Sequence, residues 1–402
     1  MKTLNEPVII AGAGPAGCAI ALNLALHGVP VVLLEASAEL PVDLRASTFQ
    51  PATLDLLDTL GNITPHLVDQ GLIAQKYQYR DRRSGQAAVF DLRLIADETK
   101  YPFRLQCEQY RFTQLAVAAL QEMPEATVIF NHRVEEVEQH PAGVVVHAET
   151  PDHGFRAFHG SYLVGADGAN SRVRRCMRVN FEGFTYPERF LVVSTPFDVA
   201  SAFPGLDYVN YVSDPDLWCV LLKTRALWRV LVPTDPGAAD GSLLADEFVQ
   251  RTLADLTGFD RRFEITHRTL YRIHQRVAQK WRIGRVLLVG DACHVNNPLG
   301  GMGMNGGLHD AFNLAEKLLA VLRGEAGCDL LDLYERQRRG ICVKFVQEHS
   351  IRNKQMMEEK DPQAQARRHA EMMRTAADPT AARNFMMRGS MIESLRDAAA
   401  IR

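Results

Sequence analysis

No window of the sequence approaches about 18 uninterrupted apolar residues, so no membrane-spanning helix is expected. Met1 to Pro7 lacks the basic and apolar regions of a secretory signal, and a cytoplasmic location is expected. Lys/Arg clusters interleaved with aromatics are missing, and the formal net charge is −3, which argues against a nucleic-acid partner. The seven cysteines are odd in number and scattered without a CxxC pair. They read as reduced, mostly buried thiols rather than a disulfide framework or a zinc site, and no metal is expected. Internal repeats and low-complexity linkers are also absent. What is present is a chain of 402 residues with 47% hydrophobic content, enough to bury a large core shared between two or three folding units.

The first 35 residues read as a βαβ unit. Val8 to Ala11 suits a buried parallel strand, Pro15 to Leu26 a helix stopped at His27-Gly28, and Val31 to Leu34 a second strand. A helix is predicted from roughly Gln106 to Leu120, a hairpin over Val134 to Glu149 turning at Pro141-Ala142-Gly143, and a strand over Tyr162 to Ala166. From about Cys176 to Gln275 the texture changes to alternating aromatic and β-branched runs: Phe190 to Thr195, Tyr208 to Val212, Trp218 to Lys223 and Trp228 to Pro233. These predict an antiparallel sheet. Nucleotide-type features return at Arg285 to Asp291, followed by a helix from about Met304 to Leu322 and a charge-rich helical tail with a break at Asp361-Pro362. The chain therefore enters an α/β unit, leaves it for a sheet and returns, and a cleft between two such units is a preferred ligand site.

Three motifs carry chemistry. Gly12-Ala13-Gly14-Pro15-Ala16-Gly17 follows a strand and opens a helix. Its glycines permit a tight turn, a close pyrophosphate and helix–strand packing, and Glu35 ends the next strand where ribose hydroxyls are usually bound. In Gly165-Ala166-Asp167-Gly168 the acid can accept bonds from hydroxyls or fix backbone amides, while Ser171 and Arg174 can hold the loop or meet phosphate. The third runs from Gly290-Asp291 through Pro298, Gly300, Gly301 and Gly303 to Asn305. It joins a strand end to a long helix whose first amides would face an electron-rich, partly anionic heterocycle.

In this order and spacing the motifs resemble the class A flavoprotein monooxygenases, the 4-hydroxybenzoate hydroxylase-like family, over about residues 7 to 345. The resemblance implies an α/β fold: a Rossmann-like, glutathione reductase-like FAD-binding domain (1–70, 106–175 and 279–345), an inserted, mainly antiparallel substrate sheet (71–105 and 176–278) and a helical C-terminal segment (346–402). It implies non-covalent FAD held by Gly12, Gly14, Pro15, Ala16, Gly17 and Glu35, by Arg45, Gln109, Asp167 and Asp291, and by Pro298, Gly301, Gly303, Met304 and Asn305. Arg45 would lie near the pyrophosphate and isoalloxazine, and the Pro298 carbonyl would face the reacting edge. These two are the residues expected to act in catalysis. Many relatives carry Pro-Pro where this chain has Asn297-Pro298, and the Trp-x-Trp-x-Ile-Pro signature of flavin halogenases is absent.

By the same resemblance NADH or NADPH reduces the flavin, dioxygen adds, and a flavin C4a-hydroperoxide delivers one oxygen atom to a small activated aromatic or heteroaromatic ring, a chemistry supplied by the cofactor. Glu35 to Glu39 offers acids and no arginine, which predicts that NADH serves at least as well as NADPH. The partners expected are the aromatic substrate, NAD(P)H and dioxygen, acting on a monomer or homodimer. His294 is expected to pack its loop rather than act as a base. Tyr211, Trp218 and Arg229 are the substrate-contact candidates, with an ordinary place in the sheet equally open for each. An oxidase, reductase or epoxidase on the same scaffold, or a non-catalytic flavoprotein partner, would carry the same three motifs.

Overall fold

A computed structural model describes residues 6–42 and 46–402. At its centre Val8–Ala11, four apolar residues buried on both faces, pairs in parallel with Val31–Leu34 on one side and Tyr162–Gly165 on the other. Ala126–Ile129 extends the sheet beyond Val31–Leu34, and Val286–Leu288 extends it beyond Tyr162–Gly165. Arg282–Ile283 closes that edge as an antiparallel partner. The register has a direct consequence. Ala11 lies opposite Leu34 and Gly165, and Gly165 opposite Leu288. All three motifs and Glu35 therefore leave the sheet at the carboxyl ends of adjacent parallel strands, where open α/β sheets bind ligands. Helix Pro15–Leu26 packs between Gln109–Gln121 and Gly303–Leu322. The hairpin at 134–149 forms as Arg133–Gln139 and Val144–Glu149, and gains a third strand, Phe155–Gly160.

The second sheet has eight strands, in the order His294–Val295, His267–Ala278, Phe181–Thr195, Trp228–Pro233, Cys219–Lys223, Val209–Ser213, Lys76–Asp81 and Ala87–Asp91. It is antiparallel except where Val209–Ser213 runs parallel to Lys76–Asp81. Side chains alternate across it. Leu191, Val193, Val212, Leu221, Trp228 and Val230 face the helix Asp246–Thr257, while Phe190, Tyr211, Trp218 and Val220 join the main core. Arg229, between Trp228 and Val230, is thereby aimed at the first unit. Trp218 sits one residue ahead of its strand, not on it as the alternation had suggested, because Asp214, Asp216 and Leu217 form a turn there.

A small sheet of Thr48–Phe49, Arg104–Gln106 and Leu72–Ala74 bridges the two units. The boundary placed between 105 and 106 falls inside its central strand. The tail is helical, with Asp361 capping Pro362–Ala377 at the amides of Gln363 and Ala364. Asp378-Pro379 repeats that signal and starts a further helix, Pro379–Gly389. No helix among the described residues is long and apolar enough to cross a membrane.

Candidate functional site

The glycine loop is locked by sterics. Gly12 has φ +101°, and a Cβ there would lie 2.6 Å from the Ala166 carbonyl oxygen. A Cβ on Gly17 would lie 1.9 Å from the Gly12 carbonyl oxygen, whereas one on Gly14 would meet nothing within 4 Å. Only Gly14 thus borders open space. It precedes Pro15 at the start of a helix that has no side-chain cap, so the first-turn amides are left for an anion. Glu35, nearly buried, accepts from the Ala13 amide (2.8 Å) and the Ser37 amide (2.9 Å), which ties the loop to the second strand. A carboxylate has about four lone-pair sites, so capacity for hydroxyls remains.

Asp167 fixes backbone amides. Its carboxylate accepts from Ser171 Oγ (2.5 Å) and the amides of Arg172 (2.7 Å) and Val173 (3.0 Å), and so caps the short helix Arg172–Cys176. Arg174 donates to the carbonyls of Ala292 (2.8 Å) and Ala169 (2.7 Å) and stacks 3.8 Å over Phe181. It joins the second motif to the third. The first and third meet at Gly290, φ +63°, where a Cβ would lie 3.0 Å from Ala16 Cβ.

Asp291 projects from the turn Gly290–Ala292 with its side chain exposed. Behind it, His294 Nε2 lies 2.7 Å and Arg338 Nε 2.8 Å from the two oxygens of Asp310, all three groups buried, and Trp281 stacks on His294. His294 is therefore a packed, ion-paired residue. The loop beyond is held from several sides. Gln275 Oε1 accepts from the Asn297 amide (3.0 Å), Asn297 Oδ1 from the Leu299 amide (3.1 Å), and the Pro298 carbonyl from the Gly301 amide (3.0 Å). Pro298 itself is exposed. Asn305, fully buried, donates to Thr48 (2.8 Å) and Gly301 (2.6 Å) carbonyls and accepts from the Gln50 amide (2.9 Å). Its side chain shapes the loop, while Gly301, Gly303 and Met304 stay partly exposed at a helix start without a side-chain cap.

Arg45 lies outside the described residues. The neighbouring segment is anchored where Ala46 accepts from the Gln109 amide (3.0 Å) and Ser47 Oγ from Arg229 Nη1 (2.8 Å). Of the substrate candidates, Arg229 thus reaches the first unit, Tyr211 stacks on Tyr79 (4.8 Å between centroids), and Trp218 packs edge-on against Phe190 in the core. The sequence reading missed the side chains that surround Tyr211. Tyr77, Tyr79, Phe90 and Phe385 form a stacked cluster with Tyr211, and Arg104 lies 3.9 Å over the Tyr77 ring. The tail helices alone line a half-open cavity of about 530 Å³, with Arg352, Asn353, Met356, Phe385 and Arg388 among its walls. Asn353 Nδ2 also donates to the Leu299 carbonyl (3.3 Å), so the cavity borders the glycine-rich loop. Arg104 and Gln106 alternate with apolar Phe103 and Leu105, a period-two pattern that marks a strand with one polar face.

These residues fit FAD: open space at Gly14, two uncapped helix starts for phosphate and an anionic ring, and an exposed acid between them. Asp291→Ala should raise the FAD dissociation constant about 10- to 100-fold, the loss of one charge-assisted bond worth about 1.5–3 kcal/mol. An unchanged constant in a folded variant, read by flavin fluorescence titration, removes Asp291 from the site.

The FAD binding domain family model matches residues 5–349. Over 392 residues the chain is 33% identical to para-nitrophenol 4-monooxygenase of Pseudomonas sp. (strain WBC-3), covering 96% of each. It is 32% identical to 6-hydroxy-3-succinoylpyridine 3-monooxygenase HspB of Pseudomonas putida (strain DSM 28022 / S16), over 86% of this chain and 87% of that one. The crystal structure of p-nitrophenol 4-monooxygenase PnpA from Pseudomonas putida DLL-E4 superposes with a TM-score of 0.90 at 30% identity, covering 97% of this chain and 98% of that one.

Proposed function

This chain belongs to the FAD-binding family of class A flavoprotein monooxygenases, and from that premise we propose that its substrate is a small, single-ring phenol or hydroxypyridine. It is an FAD-dependent aromatic monooxygenase that uses NAD(P)H. The observation that carries the substrate reading is the packed aromatic cluster of Tyr77, Tyr79, Tyr211, Phe90 and Phe385, of which Phe385 also lines the cavity among the tail helices. Aromatic side chains suit a flat ring, and the cavity of about 530 Å³ that Phe385 lines is within the ordinary range for small ligands. Nitrophenol and a hydroxypyridine are what the two relatives' names specify.

FAD, when bound, supplies the reduction by NAD(P)H and the activation of dioxygen. The chain's own residues do the holding. The amides after Gly14 take the pyrophosphate, Glu35 the ribose, Asp291 the ribityl hydroxyls, and the amides at Gly303 to Asn305 the electron-rich end of the ring system. Asn297, Gln275 and Asn305 keep the loop in one shape, so that Pro298 would be positioned reproducibly toward a bound ring. The tail helices pack over the aromatic cluster, where Phe385 stacks on Phe90 and meets Tyr79 edge-on.

The purified protein should be yellow, with one FAD per chain. A panel of phenols and hydroxypyridines should contain members that speed NAD(P)H oxidation, with one atom of labelled dioxygen appearing in the product. Label-free product, or peroxide alone with every ring, would instead indicate an oxidase or reductase on this scaffold.

A further inference from the structure

Arg104 is an unusual buried cation. It is 3% exposed, and among the described residues no carboxylate lies within 4.0 Å of it. By contrast, buried Arg338 meets the carboxylate of Asp310, and Arg174 donates to two carbonyls. Among the described residues Arg104 meets Tyr211 Oη at 3.4 Å and the face of Tyr77, and its Nε has no hydrogen-bond partner there. A charge removed from water costs several kcal/mol unless it is paired, so an arginine in this setting calls for an anion.

Its neighbours make the same demand. Tyr77 Oη is buried without a partner, and burial pushes its phenol pKa up, so it remains a donor. Gln106, next on the same face of the strand, uses its Oε1 to accept from Thr48 and leaves Nε2 without a partner. A single point, the position a Cβ on Gly389 would occupy, lies 3.6 Å from both Arg104 Nη2 and Tyr77 Oη. The absence of a side chain there keeps the space between the two donors open. Three unmet donors and a cation thus gather where the small sheet meets the large one. Thr48, paired with Gln106, connects this spot to the glycine-rich loop, since a Cβ on Gly301 would lie 3.4 Å from Thr48 Cβ.

We propose that Arg104, with Tyr77 and Gln106, is the subsite for an ionised oxygen on the ring substrate, a phenolate or a carboxylate; this rests on the aromatic-substrate reading above. The cation favours the ionised form of a bound phenol, and an ionised oxygen enriches the ring in electrons. The donors also fix which edge of the ring points away from the loop.

The test uses the FAD-loaded protein with 4-nitrophenol, 4-nitrobenzoate and the uncharged 4-nitroanisole, with binding followed by calorimetry and the ionisation of bound nitrophenol by its absorbance. Arg104→Met should weaken the ionised ligand about 10- to 100-fold while moving 4-nitroanisole less than about threefold. It should also return the bound phenol toward its solution ionisation midpoint, which a merely structural arginine would not do. Preference for nitrophenol over nitrobenzoate assigns the subsite to phenolates, and the reverse to carboxylates. Equal shifts for charged and uncharged rings, or none, would overturn the subsite and leave the donors to ordered water. If Arg104→Met does not fold, wild type still decides: it must bind an ionised ring at least about tenfold more tightly than 4-nitroanisole, and equal affinity overturns the proposal. A wild type that binds no ring overturns both readings. One that binds rings through Arg104 but inserts no oxygen overturns only the proposed function.

Discussion

Gly17→Ala should give a destabilised protein that cannot retain FAD, whereas Gly14→Ala should give a stable protein with weakened FAD binding. The two glycines stand in one motif but face different surroundings. The added methyl at Gly17 would fall 1.9 Å from the Gly12 carbonyl oxygen and 3.1 Å from Ala166 Cβ. Gly12 cannot yield, since its amide donates to the Leu34 carbonyl (2.7 Å) and its own Cα face abuts Ala166. The helix Pro15–Leu26 would have to move outward by an ångström or more, pulling Ala16 from Gly290 and parting the first motif from the third. Overpacking of this kind costs about 1–3 kcal/mol or more, and it falls on the element that presents the phosphate-binding amides. At Gly14 the backbone is ordinary for any residue (φ −70°, ψ 176°) and the methyl enters open space. Its stability without FAD should stay within about 0.5 kcal/mol of wild type, and only the cofactor should notice. The measurement is a thermal melt of FAD-free protein beside a FAD titration for each variant. If Gly14→Ala binds FAD as wild type does, the open space at Gly14 is not where the pyrophosphate lies.

Asp310→Asn should cost about 3–5 kcal/mol of stability, the usual penalty for breaking a buried ion pair from one side. Asp310 is fully buried between His294 and Arg338, which are also buried, and it accepts from the Gly290 amide at 3.3 Å. Burial pushes its carboxyl upward, but Arg338 and His294 outweigh this and hold it below the usual range. Burial likewise opposes a charge on His294, while Cys342 and Asp310 keep its imidazolium well above the ordinary value. A depressed carboxyl contributes stability above the unfolded value of about 3.9 and loses it as pH falls through the folded one. The gap between wild type and Asp310→Asn should therefore narrow in strong acid, as Asp310 protonates, and also in alkali, because the raised imidazolium of His294 contributes stability that is full below about 6.5 and lost as pH rises through its folded value. Pairing with Arg338→Met should cost less than the sum of the two single changes, because the second removes a cation that the first left uncompensated. Denaturant melts of the three variants at neutral pH check this. Additive losses would mean that Asp310 acts only through Gly290 and the loop carrying Asp291.

The sequence by itself determined the cofactor end of this protein. Glycines at 12, 14 and 17, an acid closing the next strand, and Asp-Gly or Gly-Asp after two further strands are local signals. Each is set by what one turn or one strand end tolerates, and parallel pairing then brings the ends together. The same locality made the helix break at Asp361-Pro362 legible, and Asp378-Pro379 carried the same information. Tertiary structure alone decided how the polar groups are used. Asp167 caps a helix, Asn305 clips two loops, and Asp310 finds its arginine in the helix Leu330–Ile341, at a distance no spacing rule anticipates. It also decided the end proposed for the substrate. Tyr77, Arg104, Tyr211 and Phe385 meet because Val209–Ser213 runs parallel to Lys76–Asp81 and the tail folds back over both. The antiparallel pattern read from the run of strands holds within that run, and the parallel contact is with a segment more than a hundred residues earlier. Turn geometry and periodicity are properties of neighbours along the chain, whereas a cleft between sheets depends on register and packing among segments hundreds of residues apart.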